Sequence, residues 1–240
     1  MDAARPRPRP QQWSVDLNAD LGESRERWRS GLDRALLRIV TSANVCTGAY
    51  AGDDELVQAS CAEAVARGVR IGAQVGYPDR EGFGRQPMEF EPSALTEEIG
   101  RQVRHLQAIA AGCGGTVDYV KPHGALYHRI IADPAQATAV RDALDGLPLM
   151  CLAGTTPGGS PPDIAEGFAD RGYASDGRLI PRSQTGALIT EPDAAAAQAV
   201  RLLDAGVDSI CVHSDSPGAG AIARAVRSAL GAVGADVVHP

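Results

Sequence analysis

The stretch VDLNADLGE, residues 15–23, sets Asp16, Asn18 and Asp20 at every second position. In an extended strand that spacing turns all three side chains to one side. Polar groups gathered there need a ligand, water or one another, because burying them alone is costly. Neighbouring carboxylates also push their pKa values apart, which suits acid/base chemistry. The competing reading ends the strand early and uses the acids to cap the following turn.

A second cluster, YVKPHGALYH (119–128), puts Lys121 and His123 at the end of another apolar run. Lys121 suits an ion pair with Asp16 or Asp20, or stabilisation of a developing oxyanion. His123 suits general acid or base work near neutral pH, against the plainer reading of a structural histidine. Further polar residues close other runs. TSANVCTGAYAGDD (41–54) carries Asn44 and Tyr50, and IGAQVGYPDREGFGR (71–85) carries Gln74. CVHSDSPGA (211–219) carries His213 and Asp215, of which Asp215 also reads as a helix cap before Pro217. EGFADRGYASDGRLIPRSQTGALI (166–189) carries Arg171 and Arg182. Two arginines in one loop suit a carboxylate or phosphate ligand, or an ion-pair network that merely holds a long connection.

These residues need rigid elements to bring them together. Strand candidates are 14–20, 39–45, 69–75, 117–123, 147–153 and 208–214, each apolar through most of its length. Between them run helical patterns near 53–67, 93–111, 134–144, 192–205 and 218–232. In 93–111, Leu95, Ile99, Val103, Leu106 and Ala110 recur at helical spacing behind Pro92. Alternation with short links predicts an α/β fold with a mostly parallel sheet. A doubly wound sheet would open with a glycine-rich turn that DLNADLGES does not supply. Polar residues at strand after strand end instead favour a distorted, incomplete parallel β/α barrel.

Composition narrows the class. The chain has 240 residues, 44% hydrophobic and 22% charged, enough for one substantial core. A net charge of −7 argues against nucleic acid or an anionic membrane as partner. No apolar run reaches a membrane-spanning length. Five cysteines without a CxxC pair point to a reducing, cytoplasmic location. Residues 1–12 alternate Arg and Pro and read as a disordered tail ahead of a single domain, 13–240.

Taken together, VDLNADLGES, the SANV and AGD pieces, GYPDREGFGR, VKPHGALY, LIPRSQTGALI and ICVHSDSPGA resemble the LamB/YcsF family, in order and across about residues 14–220. The resemblance implies a barrel related to the polysaccharide-deacetylase and glycosidase superfamily. It implies the activity of the A subunit of 5-oxoprolinase: hydrolytic opening of a lactam or cyclic amide, with ATP, two partner subunits (B and C) and no permanently bound cofactor. Members carry a histidine where this chain has Tyr50 and another where it has Gln74. In the superfamily an Asp and two His commonly bind a divalent metal, and a phenol and an amide are poor substitutes, so no metal is expected here. The same substitutions leave open a repurposed, metal-independent enzyme with Asp16 or Asp20 as base, Lys121 and His123 polarising a carbonyl and Tyr50 moving a proton. A non-catalytic ligand-binding subunit is the third reading.

Overall fold

The computed structural model describes residues 13–239. The expected N-terminal tail, 1–12, lies outside the described residues. Seven parallel strands run in the order β4-β3-β2-β1-β7-β6-β5. They are β1 (Ser14–Leu21), β2 (Ser42–Cys46), β3 (Arg70–Val75), β4 (Val117–Pro122), β5 (Met150–Leu152), β6 (Ile164–Phe168) and β7 (Ser209–Val212). β4 and β5 meet through the Val120–Leu149 bridge, where the Val120 amide donates to the Pro148 carbonyl at 2.9 Å. The sheet is thereby nearly closed into a barrel, as the recurrence of polar strand ends predicts. A short strand, β8 (Asp236–Val237), adds to the start of β1.

Period-two alternation explains how one strand serves two environments. In β1, Val15, Leu17, Ala19 and Leu21 belong to the aliphatic core, while Asp16, Asn18 and Asp20 hydrogen-bond across the barrel interior. Register carries the pattern round the sheet: Asp20 pairs with Asn44, Asn44 with Gly72, Gln74 with Lys121, and Glu166 with Ser209. The hydrophobic core therefore sits between strands and helices, and the interior is largely polar. Gly72 is required there, since a Cβ would overlap the ring of Tyr119, which crosses the interior.

The predicted helices are present as α3 (Asp54–Arg67), α4 (Pro92–Gly112), α6 (Pro134–Asp142), α7 (Pro192–Asp204) and α8 (Ala219–Ala232). Asp53 caps α3 through the Leu56 amide at 3.1 Å, which explains the acids closing the 41–54 loop. Three short helices go beyond the sequence reading: α1 (Arg25–Ser30), α2 (Leu32–Leu36) and α5 (Gly124–Ala132). β6 does so too. Glu166, which its charged surroundings assign to a long connection, points from this strand into the barrel, where it meets Lys121. Among the described residues no helix is long and apolar enough to cross a membrane.

Candidate active site

The interior is layered. At its lower level Asp16 accepts hydrogen bonds from Thr41 Oγ1 (2.6 Å), Ser42 Oγ (2.7 Å) and Ser209 Oγ. Above it Asn18 donates to Ser209 Oγ at 2.7 Å and accepts from Asn44 Nδ2 at 2.7 Å. Tyr119 donates to Asn44 Oδ1 at 2.6 Å, and Asn44 donates onward to Asp20 at 2.8 Å. Asp16, Asn18 and Asn44 are fully buried and do not line the cavity described next. They fill and brace the barrel beneath it, with Asn18 and Asn44 touching Lys121 and Asp20 of its floor.

The layer above opens into a cavity of about 390 Å³ at the carboxyl ends of the strands. Its floor is Lys121, whose Nζ lies 2.6 Å from Glu166 Oε1, 3.1 Å from Asp20 Oδ1 and 3.2 Å from Cys211 Sγ. Burial opposes the ammonium, yet Asp20, Cys211 and Glu166 hold its pKa well above the ordinary lysine value. Burial likewise opposes charge on Asp20, but Lys121, His213 and His123 keep its carboxyl well below the usual range. Glu166 goes the other way: burial raises it despite Lys121, and Tyr127 donates to its second oxygen at 3.0 Å.

His213, just past the end of β7, stacks on Phe168 with ring centroids 5.1 Å apart. Asp170 Oδ1 lies 2.8 Å from its Nδ1, and Asp170 Oδ2 accepts from the His213 amide and from Ser216 Oγ. A carboxylate there fixes the proton on Nδ1 and leaves Nε2 free to exchange one. Burial opposes the Asp170 charge, but His213 and the Ser216 hydroxyl hold its pKa below the ordinary value.

His123 is differently placed. The Phe83 carbonyl, 3.1 Å from Nε2, can only accept, so Nε2 carries the proton and Nδ1 accepts from Gln74 Nε2 at 3.2 Å. Tyr50 stacks on the ring at 4.2 Å and 4°. Burial, partly offset by Asp20, brings the His123 pKa down to about 4. The expectation that it titrates near neutrality is corrected by that burial. Tyr50 is 1% exposed, does not line the cavity, and has its hydroxyl 3.5 Å from the Gln74 carbonyl. Burial raises its pKa well above the phenol value. Tyr50 and Gln74 hold His123, and neither lines the cavity.

The rim is cationic. Asp215 pairs with Arg85 at 2.7 Å and with Arg182 at 3.2 Å, two guanidinium groups for one carboxylate. Arg171 lines the cavity but donates to the carbonyls of Ala187 (3.1 Å) and Ile180 (2.8 Å), which bind the 173–188 excursion to the barrel. Its part is mostly structural. Phe168, Leu179, Ile180 and Pro181 make an apolar wall. Glu23, Glu166 and Asp170, which the sequence offers only as strand or ion-pair residues, join the site, and so does Arg85, whose place in the GYPDREGFGR segment was the available signal.

The family model for LamB/YcsF matches residues 15–240. This chain belongs to that family. It is 45% identical to the 5-oxoprolinase A subunit of Mycobacterium marinum over 93% of this chain and 97% of the relative. It is 43% identical to the protein of the same name from Streptomyces avermitilis, over 93% and 98%. The lactam utilization protein of Thermus thermophilus superposes with a TM-score of 0.86 at 36% identity, covering 95% of this chain and all of that one. A family 4 carbohydrate esterase from Streptomyces lividans, at 17% identity, 94% and 91% coverage and a TM-score of 0.54, shares the fold. Among the described residues two groups bring possible ligand atoms within 4.8 Å of one another, Asp20 with Glu23 and His123, and Asp20 with Cys211 and His213. In the first, both ring nitrogens of His123 are engaged. In both, Asp20 Oδ1 already accepts from Lys121 and Asn44, and that ammonium repels a second cation.

Proposed function

We propose that this chain is the ring-opening subunit of an ATP-dependent 5-oxoprolinase, acting with two partner subunits on a five-membered lactam that bears a carboxylate. The observation that carries the reading is a buried, charged Lys121 and an Asp170-oriented His213 facing one apolar-walled cavity under a cationic rim. Arg85 and Arg182, only half neutralised by Asp215, receive the substrate carboxylate. The lactam ring lies against Phe168, Leu179 and Ile180. Lys121 faces the carbonyl oxygen and stabilises the charge that develops there, with Asp20 keeping the ammonium protonated. His213 Nε2 takes the proton of the attacking water, while Asp170 fixes the ring and stabilises the imidazolium. Cytoplasmic residence follows from the free cysteines and this small-metabolite substrate.

The test is reconstitution. The chain, two candidate partner subunits, ATP and 5-oxoproline are combined, and glutamate is measured. Glutamate that requires the lactam, ATP and this chain is the expected result. ATP hydrolysis without glutamate, or glutamate formed without this chain, overturns the reading.

A further inference from the structure

Glu23 stands two residues beyond β1, past the turn at Gly22 (φ 74°), and lines the cavity. Its side chain is 3% exposed. One oxygen, Oε2, accepts from Arg27 at 2.7 Å. The other, Oε1, has no hydrogen-bond partner and lies 3.7 Å from His123 Nδ1. A buried carboxylate oxygen with no donor is costly, whereas a carboxylic acid at the same place offers a proton to the cavity. His123 Nδ1, 3.7 Å away, is already engaged by Gln74. Oε1 is itself enclosed, yet Glu23 lines the cavity, so its unspent valence lies at the cavity wall.

We infer that Glu23 is the catalytic acid of this site, a carboxyl that carries its proton on Oε1 and delivers it to the departing nitrogen of the substrate. This rests on the ring-opening reading above. The surroundings decide the protonation state. Asp20 and Asp215 repel a further negative charge, whereas Arg27 and Arg85 attract it. Cys46 and Tyr50, on the side of the β2 loop, are uncharged, each raised chiefly by burial. His123 is neutral. Burial, reinforced by Asp20, brings the Glu23 pKa up to about 8. The Arg27 contact does not contradict this, because Oε2 accepts that hydrogen bond whether or not Oε1 is protonated. The raised carboxyl and the depressed Asp20 stand side by side with opposite states, the arrangement that separates acid from ion in a carboxylate pair.

At the lactam the bonds and protons balance with water; the ATP that the reading requires is hydrolysed to ADP and phosphate and leaves no atom in the products. The water oxygen bonds to the carbonyl carbon and its proton goes to His213 Nε2. The C–N bond breaks, its electron pair stays on nitrogen, and that nitrogen takes the proton of Glu23. The products are a carboxyl and an amine, and exchange with solvent returns a proton to Glu23 and removes one from His213.

Isotope-edited infrared spectroscopy of the whole chain, with labelled glutamate, reads the state of the group without substrate or partners. A carboxylic acid band that persists at pH 7, disappears with a midpoint near 8 and is missing from Glu23→Gln is expected. In the reconstituted assembly, rate should decline through the same pH range, because the acid is competent only below its pKa. Glu23→Gln should lower kcat by about 10²-fold with KM within about threefold and abolish that alkaline decline, and Glu23→Asp should recover part of the rate. Ionised Glu23 at pH 7, or a Glu23→Gln assembly with the wild-type rate and profile, overturns the inference and leaves the ring-opening reading standing. A wild-type assembly that opens no lactam overturns the reading and the acid role with it, whatever the spectrum shows.

Discussion

Strand β1 supplies two polar regions of opposite character from a single alternating pattern. Asp16 at the bottom of the barrel is saturated: three hydroxyls from β7, β2 and the residue before β2 converge on its two oxygens. Asp20 and the neighbouring Glu23 at the top sit among groups that are charged, oriented and incompletely satisfied. Both regions are buried and both are rich in the residue types that enzymes use. What separates them is satisfaction. A polar group whose hydrogen bonds are all met by the protein has nothing left to offer a substrate, and a group with a free valence facing a cavity does.

The largest break in the comparison is expected at Lys121, which joins the two regions. Lys121→Ala removes the charge that Asp20 and Glu166 share and leaves both carboxyls buried without it. Loss of about 3–5 kcal/mol of stability is expected, as for breaking a buried ion pair. Activity of the remaining folded enzyme should fall by about 10²–10³-fold, the cost of one oxyanion-stabilising donor. Denaturant titration and glutamate formation measure the two. A stable variant with normal turnover would remove Lys121 from the site.

His213 isolates the upper region. His213→Ala should lower turnover by about 10²–10⁴-fold. Asp170→Asn should weaken it in the same direction, because the amide no longer fixes the proton on Nδ1 or stabilises the imidazolium. The reverse pattern is expected below. Asp16→Ala strands Thr41, Ser42 and Ser209 without their common acceptor, at a cost of about 2–4 kcal/mol. Turnover per folded molecule should stay within about twofold of wild type, since no part of Asp16 reaches the cavity. A thermal melt paired with an active-site-normalised rate separates the two effects, and a large kinetic loss in Asp16→Ala would erase the distinction drawn here.

Alternation in β1 and the Lys121–His123 strand end are local patterns, so the barrel and the floor of its cavity are legible in sequence. The same alternation could not say which acid is saturated, because the hydroxyls on Asp16 come from distant strands. Glu166 was legible as a charge in a connection but not as a strand residue, because the group that makes it tolerable in a strand, Lys121, lies far away in the chain. Glu23 was legible only as one more acid of the VDLNADLGE segment; its unpartnered oxygen exists only once His123, Asp20 and Asp215 have been folded around it. Arg171 was legible as a guanidinium in a loop, but not as one spent on the carbonyls of Ile180 and Ala187.

Tyr50 offers the smallest and sharpest test, because it touches the upper region from behind. Its ring contributes shape: it stacks on His123, lies edge-on to Phe83, and leaves no room for a Cβ at Gly76, which would come within 2.8 Å of it. Its hydroxyl contributes little, with a long contact of 3.5 Å to the Gln74 carbonyl and a weak one to the Cys46 thiol. Tyr50→Phe keeps the ring and should change turnover by less than about twofold and stability by less than about 1 kcal/mol. Tyr50→Ala removes the platform, and there the imidazole should lose its orientation and activity should fall with stability. A Tyr50→Phe variant as damaged as Tyr50→Ala would show that the phenol moves a proton after all. Unequal effects would place Tyr50 in the support of His123, one layer behind the chemistry.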